Sequence, residues 1–572
     1  MLYSRSVSQI HMSNFAPTPE KIAEPLTSLP ETFNVATYFV DRNVLEGRGE
    51  KTAIECGEER ISYRQLLERT NRVGNALRQL GVRIEERVAL LLLDTPEFLY
   101  SFFGIIKIGA VAVPVNTYLK THEYEYLLND SRARVVLVSE GLLPHLQSIP
   151  RERLKYLSEI VVVRGRSKQH SSLRQQSVGQ QSLGLQSLDQ LMENASPELE
   201  AEPTRKDDAA FWLYSSGSTG PPKGCVHLHH DMVVCSELYA RNILRMNEHD
   251  RCYSVARLFF AYGLGNAGYF PLGCGATTIL SPARPTPETV YADIERYRPT
   301  LFFSVPSNYA ALLAYQREDR TEFDLSSVRE AISAGESLPA SLFERFKQRF
   351  GVEILDSLGS TETLQMVIAS RPGEARPGSS GKIIPGYEAR IVDDGGCSVA
   401  PGEIGNLLIK GDSTCAGYWN QHEKTKETFE GHWFRTGDKY YQDEEGYFWY
   451  AGRANDLFKV SGRWLSPAEV ESALIAHPAI REAAVIARDD ENGLTKPAAY
   501  VVVNDGFIGS DQLSRELQAW VAERIGNYKR PRWIEFLPEL PKTTTGKLQR
   551  YKLREQQAQA KSPSPSNKHF EL

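Results

Sequence analysis

The chain has 572 residues, a length that excludes a single small module and predicts two to four domains at roughly 150 residues each. Apolar residues make up 41% and charged residues 24%, the balance of a globular protein with a large core, which excludes a disordered or fibrous chain. The net charge of −6, from 66 Lys and Arg against 72 Asp and Glu, leaves no basic excess and argues against a general nucleic-acid binder or a protein held on anionic lipid.

Residues 1–33 are polar and carry Pro17, Pro19, Pro25 and Pro30, which predicts an extended, disordered arm. No apolar leader with a cleavage site precedes it, so export is not expected, and Met12 is an alternative start. From Asn34 the pattern alternates. Helical periodicity over 63–80 and 97–108 is interleaved with the aliphatic runs VALLLL (88–93), VAVPV (111–115) and RVVLVS (134–139). Continuous aliphatic strands between helices predict a parallel sheet covered on both faces. The apolar stretch near 105–115 is broken by Lys107 and falls short of the ~18 residues of a membrane span.

Residues 165–190 repeat Gln-Ser with a five-residue period, too short for a solenoid, and read as a mobile surface insertion. A second alternating region runs to about Tyr450. A smaller charged region follows, with strand-like AAVIA (483–487) and AAYVVV (498–503), and a disordered tail is predicted from 556. The seven cysteines are odd in number and scattered, without a C-x-x-C pair, and read as reduced thiols of a cytoplasmic protein.

The stretch richest in chemistry is YSSGSTGPPKG, Tyr214 to Gly224. Its glycines let the backbone curl around an anion while its hydroxyls, N–H groups and one lysine face it, which makes a phosphate cradle. It is not a Walker A loop, because Lys223 is followed by Gly224 and the glycine spacing differs. The segment resembles the nucleotide loop of the adenylate-forming superfamily of acyl-CoA synthetases, luciferase-like enzymes and adenylation domains. The resemblance runs in order from about Val35 to Arg554. It implies an α/β fold with a large N-terminal domain of parallel and mixed sheets flanked by helices (34–454) and a small, mobile α+β lid (455–555). It also implies ATP, Mg²⁺ and coenzyme A as cofactor and co-substrates.

Position by position, the resemblance makes Ser215, Ser216, Gly217, Ser218, Thr219, Gly220 and Lys223 the phosphate-binding residues. DSLGSTE (356–362) supplies Thr361 and Glu362 to catalysis, with Glu362 as the metal-side carboxylate. Alone, Glu362 reads as a solvated acid, but a carboxylate past a Gly-Ser-Thr turn suits Mg²⁺, which is held by one or two carboxylates plus phosphate and water. Leu358 departs from a tyrosine common in the family. Gly335, Glu336, Asp356, Ser357, Asp438 and Arg453 fall where the family holds adenine and ribose, Asn455 at its hinge, and Lys459, Ser461 and Gly462 on the thiol side. In PKTTTGKLQR, Lys547 matches the catalytic lysine of the lid, where an ammonium can neutralise like charges that meet at the α-phosphate.

Within the superfamily, ARLFFAYGLGN (256–266) is most similar to the benzoate-CoA ligase branch. Phe260, Ala261, Tyr262 and Gly359 match that branch's acid pocket, a short slot for one ring, while Phe259 reads more as core than as pocket. Gln365 replaces a histidine and Met366 an isoleucine. Gln offers both a donor and an acceptor, which points to a hydroxy- or aminobenzoate unless the side chain only fills space. The acceptor stays open between free coenzyme A and the phosphopantetheine of a carrier protein; a non-catalytic nucleotide-binding scaffold is a remoter alternative.

Overall fold

The computed structural model describes residues 29–164, 185–215, 221–317, 321–454, 456–460, 463–491, 493–542 and 548–561. Two large sheets form the body. The eight-stranded sheet takes the aliphatic runs as parallel neighbours, Val111–Pro114, Arg87–Leu91, Val135–Ser139 and Glu159–Val163, all of them largely buried. Its other end is the antiparallel pair Ala209–Ser215 and Lys223–Leu228, with Gly417–Tyr418 outermost. The nine-stranded sheet runs in parallel through Thr277–Ile279, Arg251–Ser254, Leu301–Ser304, Glu330–Ser333 and Ile354–Gly359. It then turns antiparallel at Met366–Ala369. A third, antiparallel sheet includes Trp433–Gln442 and Phe448–Arg453.

After Arg453 the strands belong to a separate, smaller domain. It consists of Ile480–Asp489, Thr495–Val503 and Trp533–Phe536 in one sheet, with the helices Pro467–Ile475 and Asp511–Ile525. It has its own apolar cluster around Leu474, Val485, Val501 and Leu517. The chain is thus a large mixed α/β domain followed by a small α+β domain.

Local chemistry explains the element ends. Ser62 caps the helix Tyr63–Gln79, accepting from Gln65 N at 3.3 Å while the Gln65 side chain accepts from Ser62 N at 3.0 Å. The next helix begins at Pro96, where no N–H is needed. Lys107, which interrupts the apolar run, is buried at the end of that helix and held by Asp41 at 2.6 Å and Asn71 at 2.7 Å. Among the described residues no helix is long and apolar enough to cross a membrane.

Three predicted boundaries shift. The insertion is shorter than 165–190, because Leu185–Ser187 adds a parallel edge strand to Glu159–Val163 and Leu188–Glu193 is helical. Residues 165–184 lie outside the described residues. The arm ends before Phe33, whose N–H bonds Thr204 O at 2.7 Å beside an ion pair of Glu31 with Arg205 at 2.8 Å. The tail begins later than 556, because the helix Arg550–Lys561 continues through that point. In each case polar residues are ordered by backbone pairing that carries no apolar signature.

His229, just past the strand Lys223–Leu228, holds the start of the large domain, accepting at Nδ1 from Val35 N at 3.1 Å. Burial, with His230 beside it, pushes its pKa down to about 3. An unfolded imidazole takes up its proton near 6.5, so between about 6.5 and 3 the unfolded chain binds more protons and stability falls as pH falls. At one pKa unit per ~1.4 kcal/mol, full protonation costs roughly 3–5 kcal/mol. The urea midpoint is expected to drop between pH 6.5 and 4.5, and His229→Gln to flatten that drop.

Candidate active site

The parallel strands of the nine-stranded sheet end on one side, and the predicted site residues cluster there, as ligand sites do in open α/β sheets. Gly335, with φ +88°, and Glu336 follow the strand Glu330–Ser333. Asp356, Ser357 and Gly359 lie on Ile354–Gly359. Phe260, Ala261 and Tyr262 follow Arg251–Ser254 and start a short helix.

Opposite them stands the hairpin Ala209–Ser215/Lys223–Leu228, whose register places Ser215 across from Lys223. The hairpin thus holds Ser215 and Lys223, both predicted phosphate-binding residues, as direct neighbours. Glu362 meets this pair. Its Oε1 accepts from Tyr418 OH at 2.8 Å and from Ser215 Oγ at 3.4 Å, and Lys223 Nζ lies 4.2 Å from the centre of the Tyr418 ring. Both of these bonds fall on Oε1. Among the described residues no group of three or more His, Cys, Asp or Glu could hold a metal ion. One carboxylate at a phosphate loop is the donor set expected of Mg²⁺ that reaches the site on a nucleotide.

The turn that carries Glu362 is pinned at successive carbonyls. Thr361 O is within 2.8 Å of His227 Nε2, whose Nδ1 faces Asp231 Oδ2 at 2.8 Å. Glu362 O accepts from Cys415 N at 2.7 Å, and Thr363 O from Ser413 Oγ at 2.9 Å. Leu364, fully buried, has φ +65°, a strained conformation for leucine of the kind held at functional sites. Tyr418, His227 and Asp231 were missed in the sequence. Their signal is spatial: Tyr418 is 56 positions from Glu362.

For the two residues predicted to hold the sugar, antiparallel register places Asp438 opposite Arg453, with Nε to Oδ1 at 3.1 Å. Asp438 is buried and Arg453 exposed, so the arginine reaches outward from a fixed carboxylate. Asp356 is buried, which raises its pKa well above the usual carboxylate range, and its Oδ1 has no hydrogen-bond partner. It lies beneath the surface in the middle of its strand, and Ser357 Oγ faces Tyr239 OH at 3.4 Å.

In the pocket segment, Tyr262 OH donates to Ser304 O and Ile332 O, both at 3.1 Å, which lays the ring across two strand ends. Phe259 and Phe260 have ring centres 4.3 Å apart; Phe259 is core and Phe260 half-buried. Gly359 has no room for a side chain, because a Cβ would sit 2.6 Å from Gln365 O. Gln365 and Met366 are both buried. The Gln365 amide donates to Ala261 O, and to Tyr262 O at 3.4 Å, leaving Oε1 without a partner. Its orientation is therefore fixed by the carbonyls it serves.

Of the remaining predicted residues, Lys459 is exposed on Phe458–Val460 in the small domain. Ser216, Gly217, Ser218, Thr219, Gly220, Asn455, Ser461, Gly462 and Lys547 lie outside the described residues.

The fold and this clustering define a nucleotide-activating enzyme built on two domains. The chain belongs to the AMP-binding enzyme family, whose model matches residues 41–419, with the family's C-terminal domain matching 469–547. It is 45% identical to a benzoate–CoA ligase of Thauera aromatica over 93% of this chain and 97% of that one. It is 44% identical to a 4-hydroxybenzoate–CoA/benzoate–CoA ligase of Rhodopseudomonas palustris, over 91% and 94% of the two chains. Among solved structures, an anthranilate CoA ligase in complex with anthranoyl-AMP is 43% identical with a TM-score of 0.87, covering 93% of this chain and 99% of that one. A benzoate CoA ligase from Burkholderia xenovorans LB400 is 40% identical with a TM-score of 0.80, covering 91% and 100%.

Proposed function

We infer that the chain is an AMP-forming acid–thiol ligase that joins a single-ring aromatic carboxylic acid to coenzyme A. The observation that carries the reading is the meeting of Ser215, Lys223 and Glu362 around Tyr418, with Phe260, Ala261, Tyr262 and Gly359 at the neighbouring strand ends. Lys223 and the loop hold the outer phosphates of ATP. Glu362 would hold Mg²⁺, which supplies positive charge against the phosphate oxygens. The acid's carboxylate oxygen bonds to the α-phosphorus, the bond to the β-phosphate oxygen breaks, and pyrophosphate leaves. Lys547 neutralises the oxygens that crowd at the α-phosphorus. Asp438 and Arg453 hold the sugar. The thiol sulfur then attacks the acyl carbon and AMP leaves, giving the thioester.

A cytoplasmic location is consistent with the use of ATP and coenzyme A and with seven unpaired cysteines. Transfer to a carrier-protein phosphopantetheine is the second acceptor to offer. The lid begins at 455, continues through the helix Arg550–Lys561 and turns about Asn455.

A ring substituent is indicated by Gln365. The reading is tested by pyrophosphate release over benzoate, hydroxybenzoates, aminobenzoates and aliphatic acids. A buried polar group left unpaired costs roughly 1–3 kcal/mol, about 5- to 150-fold in discrimination. Gln365→His is expected to lower the kcat/KM ratio of a hydroxy- or aminobenzoate over benzoate. Wild-type preference for benzoate over every substituted ring, or for aliphatic acids, defeats this account of the pocket.

A further inference from the structure

Arg257 lies between the strand Arg251–Ser254 and the pocket segment, with its side chain enclosed and only 10% exposed. Its donors reach four groups. Nε donates to Tyr118 OH at 3.1 Å, Nη1 to Asp94 Oδ2 at 3.4 Å and to Ser281 O at 2.6 Å, and Nη2 to Ala283 O. Asp94 and Tyr118 follow the strands Arg87–Leu91 and Val111–Pro114 of the eight-stranded sheet, while Ser281 and Ala283 follow Thr277–Ile279 of the nine-stranded sheet. One guanidinium therefore ties the two large sheets together beyond the C-terminal ends of their strands.

The same node holds the backbone of the pocket segment. Asp94 Oδ1 accepts from Leu258 N at 3.2 Å, and Arg257 O accepts from Phe260 N at 3.0 Å. Gly263 belongs to the short helix that Ala261 and Tyr262 begin, and it packs directly on this backbone. A Cβ at Gly263 would sit 2.1 Å from Arg257 O and 2.4 Å from Ala256 O. Side chains extend the contact: the Tyr118 ring meets Phe259 edge-on, with centres 5.8 Å apart, and Phe259 meets Phe260 at 4.3 Å. Phe260, Ala261 and Tyr262 thus stand on a backbone whose place is set from both sheets.

A buried Arg–Asp pair gives little net stability, since well-packed apolar residues serve as well. What a planar fork adds is geometry. We propose that Arg257, with Asp94, is a positioning residue for the acid pocket: it holds Phe260, Ala261 and Tyr262 at the spacing from Gly359 that admits a flat ring. The proposal rests on those four residues lining the pocket. Room for a single methylene in such a slot changes discrimination about 10- to 200-fold, so a small shift of this segment is read out as selectivity.

The test uses ATP–pyrophosphate exchange, which reports adenylation alone, on Arg257→Lys, Asp94→Asn, Tyr118→Phe and Phe260→Ala. Lysine keeps the charge but cannot serve Tyr118, Asp94 and both carbonyls at once. Arg257→Lys and Asp94→Asn are expected to raise KM for an aromatic acid at least about tenfold, with KM for ATP within about twofold. The kcat/KM ratio of benzoate over cyclohexanecarboxylate, a puckered ring, should fall in step, because a loosened slot no longer favours a flat one. Tyr118→Phe keeps the ion pair and the ring contact with Phe259 and removes one hydrogen bond, so the same shift should appear at about threefold. It decides the matter if the two buried variants melt early. Unchanged acid KM and selectivity in the folded variants, or equal rises in KM for acid and ATP, overturn the proposal. Phe260→Ala tests the pocket itself. If it shifts acid KM and selectivity while the Arg257, Asp94 and Tyr118 variants do not, only the positioning role falls; if it shifts neither, the account of the pocket falls too.

Discussion

Replacing Lys547 with alanine is expected to lower acyl-adenylate formation by at least about 10²-fold, the scale for removing a charge that contacts only the transition state. The motive is chemical. A carboxylate that attacks an α-phosphate brings like charges together, and Lys223, the large-domain lysine proposed for the outer phosphates, lies beside Tyr418. Lys547 belongs to the lid, so one rotation can bring it to the α-phosphate and another can clear the opening for the thiol. Thioester formation from supplied acyl-adenylate should therefore fall far less. Rapid-quench measurement of the two half-reactions separates them, and equal losses would refute the division of labour.

Glu362→Gln is expected to lower adenylation by a comparable factor, about 10²-fold or more, with a raised Mg²⁺ requirement. The substitution preserves shape and the bond from Tyr418 while removing the negative charge, so the loss reports on charge at the metal side. Tyr418→Phe is the graded control. It leaves the carboxylate charged but removes the 2.8 Å bond that aims it, and one hydrogen bond to a charged group is worth about 1.5–3 kcal/mol. Its effect should lie below that of Glu362→Gln and respond to added Mg²⁺. A Glu362→Gln enzyme with wild-type rates and Mg²⁺ dependence would remove Glu362 from the metal.

Much of this protein was readable in the sequence because the signals are local. The aliphatic runs at 88–93, 111–115 and 134–139 became buried parallel strands within one or two residues of the expected limits. Period and branching at a fully buried strand are properties of a few adjacent residues. The phosphate-binding reading of 214–224 also rests on adjacent residues alone, and residues 216–220 lie outside the described residues. The order of motifs then proposed Glu362, Asp438, Arg453 and Lys547 for the site; of these, Glu362 is found beside Ser215 and Asp438 opposite Arg453.

Tertiary structure decided what depends on pairing at a distance. That Glu362 is aimed by Tyr418, and its turn anchored by the His227–Asp231 pair, follows from strands meeting across the sheet. Sequence chemistry left Gln365 as either donor or acceptor. The carbonyls of Ala261 and Tyr262, about a hundred positions away, take its donor side and leave the oxygen unpaired. Leu185–Ser187 became an edge strand despite its polar, insertion-like composition, because a neighbouring parallel strand supplied backbone partners that side-chain pattern does not encode. Composition and periodicity report which side chains seek burial. Only the packed chain determines which distant hydrogen-bonding groups meet, and those meetings orient the residues that do the chemistry.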